Sequence, residues 1–164
     1  MMDDTKNENS HLEDVDELYA NITVLGIEDK GIALIEKLIY EQKIRLQQAA
    51  VISSNKEKLL TTQVQRKLLW QNQKSESYNH AFIQIGSPDL FCVALFIEKM
   101  EDLEIALYLG ECAKNKSGLS VCILSFVDND SNKTSFLEAL NNVFNVTIPV
   151  IESNIVEADS VNFS

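Results

Sequence analysis

Short apolar runs alternate along this chain with longer segments whose apolar residues recur every three or four positions. The first run, ITVLG (22–26), is β-favouring and ends at a glycine. IEDKG reads as a loop, and IALIEKLIYEQ follows with Ile32, Ile35, Leu38 and Ile39 at helical spacing. AAVIS (49–53) predicts a second buried strand, followed by the polar SNKEK, and TTQVQRKLLW (61–70) a third. QNQKSESYN (71–79) is polar and loop-like, and AFIQI (81–85) fits a short helix or a strand equally well. GSPD (86–89) has turn chemistry. DLFCVALFI (89–97) then reads as a buried strand, and residues 99–116 as a helix with Ile105, Leu109, Cys112 and Ala113 on one side. Gly118 is placed to end that helix in a left-handed conformation. LSVCILSF (119–126) is the clearest strand, VDNDSNK a loop, TSFLEALNNVF (134–144) an amphipathic helix and VTIPVI (146–151) a last strand.

Strands alternating with helices imply βαβ units, hence a mostly parallel sheet with helices on both faces. The expected fold class is α/β, a three-layer Rossmann-like sandwich. At 164 residues the chain suffices for one such domain. Charge sets the expected boundaries. The whole chain carries −11, but residues 1–19 hold seven acids and one lysine, and residues 153–164 add Glu157 and Asp159. Residues 20–152 are left with a net −3 and form the predicted domain, with 1–19 and 153–164 as flexible acidic tails. An acidic chain without a basic stripe argues against nucleic acid as a partner. No apolar run is long enough to span a membrane, and the acidic start is the reverse of a secretory signal, so a cytoplasmic location is expected.

Candidate chemistry is sparse. Cys92, Cys112 and Cys122 sit among apolar neighbours at no zinc-like spacing and read as buried, inert thiols. His11 and His80 are the only histidines, and nothing beside them suggests a Ser-His or Cys-His nucleophile. Trp70, at a strand end, reads as partly buried core. HLEDVDELYANI (11–22) alternates acids with Leu12, Val15, Leu18 and Tyr19, a pattern that suits either a partner's groove or the chain's own domain.

In order and loop position these elements resemble the nucleotide-binding half of the FtsZ/tubulin superfamily. ITVLGIEDKGIALIEKLIYE lies without gaps on that family's opening strand, glycine-rich loop and first helix, with Gly26 and Gly31 on loop glycines and Glu28, Asp29, Lys30 and Ile32 replacing others. DLFCVALFIEKMEDLEIALYLGECAKNKSGLSV lies on the strand, signature loop and helix that carry GGGTGTG. There the signature positions are Glu98, Lys99, Met100, Glu101, Asp102, Leu103 and Glu104. The resemblance covers residues 20–152, is one of pattern and spacing, and does not extend to the family's second domain. It implies the fold of the FtsZ N-terminal domain.

Backbone N–H groups can approach phosphates only past small residues, and Glu98, Met100, Asp102 and Leu103 obstruct that approach. Like charges about 4 Å apart repel by roughly 1 kcal/mol in water and about 4 kcal/mol at an intermediate dielectric. The seven signature positions carry four acids and one lysine, so GTP binding and GTPase activity are expected to be lost. Three readings fit the acidic corner. Glu98, Glu101 and Asp102 can simply favour the dipole of a helix start. Alternatively, Glu28, Asp29, Glu98 and Asp102 supply a divalent cation site, or a carboxylate pair performs acid–base chemistry. The first is preferred, with Gly26, Glu28, Asp29, Gly31, Glu98, Glu101, Asp102 and Glu104 as former phosphate-loop positions and with no cofactor or metal. The expected function is that of a non-catalytic FtsZ-like module working by protein–protein contact. Its partner would be an FtsZ-type or other cytoskeletal protein, and its process cell division or cytoskeletal regulation. The alternative is a protein that depends on a nucleotide or cation bound at the same cleft.

Overall fold

The structure is a computed structural model that describes residues 21–71, 85–126 and 131–151. Their elements run β1 (Ile22–Ile27), α1 (Glu28–Tyr40), a 3-10 turn (Leu46–Gln48), β2 (Ala49–Ser53), α2 (Lys56–Thr61) and β3 (Arg66–Leu69). They continue with β4 (Leu90–Phe96), α3 (Met100–Ala113), β5 (Leu119–Phe126), α4 (Lys133–Asn141) and β6 (Val146–Ile151). The six strands form one sheet in the order β3-β2-β1-β4-β5-β6, and every pairing is parallel. The order reverses between β1 and β4, which lie side by side with Gly26 opposite Ala94. This is the doubly wound arrangement, and its switch point is the usual ligand crevice.

Burial on both faces explains why the strands read as continuous apolar runs. β2 is buried at all of its positions. Leu25, Ile27, Phe91, Val93, Leu95, Cys122 and Leu124 pack with Ile105 and Leu109 of α3 and Phe136 and Leu140 of α4. Alternate positions turn to the other face, where Val24, Ala49 and Val51 meet Ile32 and Ile35 of α1. Helices therefore cover both faces, and the α/β sandwich has three layers. Trp70 is buried at the end of β3, its ring edge-on to Tyr108 of α3 at 5.3 Å. Cys112 and Cys122 are buried and Cys92 half-buried. Burial pushes all three thiols upward, Cys112 to about 11. Among the described residues no helix is long and apolar enough to cross a membrane.

Three local expectations are corrected. IEDKG is not a loop: α1 starts at Glu28, directly after β1. The apolar period marks only where the helix meets the core, whereas its first turn is set by contact between two glycines, described below. The third strand is confined to Arg66–Leu69, and Thr61, where it was expected to begin, instead ends a helix, α2 (Lys56–Thr61). Asn55 starts that helix by accepting from the backbone N–H groups of Glu57 (3.0 Å) and Lys58 (3.4 Å). Gly118 is not left-handed, since Gly86 is the one glycine with positive φ among the described residues. Gly118 is there for space: a Cβ on it would lie 2.6 Å from the carbonyl oxygen of Asp89. The two acidic tails, most of QNQKSESYN and AFIQI, and the first part of VDNDSNK lie outside the described residues.

Candidate functional site

The switch point is built from the end of β1 with the start of α1, and from the segment between β4 and α3. Glu28 turns the chain out of β1 with φ of 58°, a left-handed conformation that favours glycine and costs another residue about 1 kcal/mol. The turn aims its carboxylate at the loop after β2. There the backbone N–H of Ser54 donates to Oε1, and the Ser54 hydroxyl donates to Oε2 at 3.2 Å. Gly26 and Gly31 meet face to face. A Cβ on Gly26 would sit 2.2 Å from the Gly31 carbonyl oxygen, and one on Gly31 would sit 2.9 Å from the Gly26 carbonyl carbon and 3.3 Å from the Ala94 oxygen. The first turn of α1 thus rests directly on β1 and β4. The glycines at this corner serve close backbone packing.

The second half of the corner closes in a similar way. Asp102 lies in the first turn of α3 and is 2 % exposed. Its Oδ2 accepts from the backbone N–H of Glu98 at 2.9 Å and of Lys99 at 3.0 Å. These are the donors of the segment between strand and helix, the groups that in an open corner are available to an anion. Both bonds are charge-assisted, and the helix dipole favours a carboxylate at this end. The Oδ1 atom is buried without a hydrogen-bond partner. In effect the chain supplies its own anion.

The remaining predicted site residues stay at the rim. Asp29, Glu98 and Glu104 are exposed, and Glu101 is half-buried with its carboxylate 3.7 Å from the ammonium of Lys99. So solvated a pair adds little to stability. Among the described residues, no group of three or more His, Cys, Asp and Glu side chains is placed to hold a metal ion. Glu28 and Asp102 are instead each engaged with backbone, Glu28 on the loop after β2 and Asp102 on the loop before α3. Of the three acids expected at the helix start, Glu101 and Asp102 stand in the first turn of α3, whereas Glu98 precedes its N-cap, Lys99. Ser54 was not among the predicted residues. Its position one residue past a buried strand end was the available signal, since loops at those ends face the switch point.

No family model matches the sequence, and a search of curated proteins finds no match. Solved structures do match. An empty FtsZ dimer from M. jannaschii superposes with a TM-score of 0.72 at 18 % identity, over 93 % of this chain and 51 % of that one. A point mutant of M. jannaschii FtsZ gives a TM-score of 0.64 at 18 % identity, over 89 % of this chain and 51 % of that one. The chain has an FtsZ/tubulin-like GTPase-domain fold, corresponding to the FtsZ N-terminal domain, and spans about half the length of those FtsZ chains.

Proposed function

We propose that this chain is a non-catalytic module with an FtsZ-type fold, which does not use GTP and acts by contact with other proteins. One observation carries the first half: the Asp102 carboxylate takes the backbone N–H groups of Glu98 and Lys99, the donors that a phosphate would need. A triphosphate entering the corner would have to displace that carboxylate and pass Glu98 and Glu101, at a cost of several kcal/mol by the Coulomb estimate of about 4 kcal/mol per close pair. The second half rests on the fold. One of the similar structures is an FtsZ dimer, and the proposal carries chain-to-chain contact over from that protein to this one. The proposed partner is an FtsZ-type or related cytoskeletal protein in the cytoplasm, and the proposed process is filament regulation or division.

Thermal denaturation with and without GTP–Mg²⁺ tests the first half. A ligand at about 100 times its Kd adds about 2.7 kcal/mol, enough to raise the midpoint by several degrees in a domain of this size. No shift is expected at about 1 mM nucleotide, and a clear one overturns the non-binding reading. Sedimentation of polymerising FtsZ from the same organism tests the second half. Co-pelleting or a changed polymer yield is expected, and neither effect at equimolar ratio removes FtsZ as the partner.

A further inference from the structure

At the opposite end of the strands from the acidic corner, the C-terminus of α1 and the 3-10 turn Leu46–Gln48 enclose an open groove of about 390 Å³. Its floor is apolar, from Ile39, Ile44 and Leu46, and its rim carries Lys43 and Arg45. Both cations are exposed, neither pairs with a carboxylate of the described residues, and no acid lines the groove. Tyr40, next in the chain to Ile39, is 87 % exposed. This is an apolar depression with a basic rim.

The described chain begins beside it. Asn21 is pinned by its backbone N–H to Asp89 Oδ2 at 2.9 Å and by its carbonyl to the N–H of Asp89 at 2.8 Å. The 3-10 turn packs against β1, and Val24 pairs with Ala49 just beyond it. Asn21, where the described chain begins, therefore lies within one or two strand spacings of the groove, about 5–10 Å. The ten residues before it in the sequence are HLEDVDELYA (11–20). Wound as a helix they put Leu12, Val15, Leu18 and Tyr19 on one side and Glu13, Asp14, Asp16 and Glu17 on the other, over a length of about 15 Å. We propose that this acidic amphipathic segment of the chain itself occupies the groove. Leu12, Val15 and Leu18 lie on the apolar floor, and the acids meet Lys43 and Arg45. Place of exit, charge sign and apolar spacing all point to the same occupant.

Hydrogen exchange read by mass spectrometry on the full chain tests this. In the wild type, amides of residues 11–20 should exchange at least tenfold more slowly than an unstructured peptide of the same sequence, at every protein concentration. That protection should vanish in Lys43→Glu/Arg45→Glu, and separately in Leu12→Ser/Val15→Ser/Leu18→Ser, a variant that leaves the body untouched. Unchanged protection of β4 and β5 confirms that each variant is folded. Unprotected residues 11–20 in the wild type, or protection that survives in either variant, overturn the proposal. Protection that grows with protein concentration also overturns it, because the occupant is then a second copy.

Discussion

Glu28 sets two opposed effects against each other at one position. Its left-handed backbone is strained by about 1 kcal/mol, while its carboxylate holds Ser54 by two bonds. Glu28→Ala keeps the strain and loses the bonds, so urea denaturation should show a loss of about 1 kcal/mol. Glu28→Gly loses both and should lie close to wild type; equal losses in the two variants would refute the strain. Gly26 allows no such exchange, because its Cβ would overlap the Gly31 carbonyl, so Gly26→Ala should cost about 2–3 kcal/mol in the same assay. Cys112 sets a pH dependence. Burial raises its thiol to about 11 from an ordinary 9.0, so the unfolded chain releases that proton first. The resulting stability is complete below pH 9 and declines as pH rises toward 11. Denaturation at pH 8 and pH 10 should show the decline, and Cys112→Ala should make it shallower. At this scale the glycines were legible as a pattern, but their cause was not: a spacing of glycines looks the same whether a phosphate or another backbone needs the room.

The first turn of α3 depends on Asp102. Removing the carboxylate leaves the N–H groups of Glu98 and Lys99 without their acceptor, so Asp102→Ala should destabilise by about 2–4 kcal/mol. Asp102→Asn keeps one acceptor oxygen and should cost about half as much. The amides of Glu98 and Lys99 should exchange faster in the alanine variant, and unchanged exchange there would separate the stability loss from the cap. The helix itself was evident from Ile105, Leu109, Cys112 and Ala113, all buried as their spacing predicts. Its start was less legible, since the N-cap is Lys99, whose ammonium cannot accept a hydrogen bond, and the cap comes instead from the Asp102 carboxylate. For α2 the obstacle was length. Six residues with one buried apolar side chain, Leu59, show no period, and only the cap by Asn55 marks the place.

At the scale of the molecule, alternating apolar runs and helical spacings sufficed for a parallel, two-sided sheet. They did not dictate strand order. The order β3-β2-β1-β4-β5-β6 is legible only in the structure, because pairing between distant strands leaves no mark on local periodicity. Trp70 touches Tyr108 on one face of the sheet, reaching from the end of β3 in one half to α3 over the other. Its emission should shift to the red in a single transition with urea, coincident with loss of far-ultraviolet dichroism. Separate midpoints would mean that the two halves unfold independently. Asp102 has a consequence for redesign as well. Opening the corner to an anion would begin with its loss, and that single step lowers stability while Glu98 and Met100 stay exposed at the rim. A variant meant to admit a ligand there therefore needs a stabilised background before the carboxylate is removed. Held by its own side chain, the corner resists change one residue at a time.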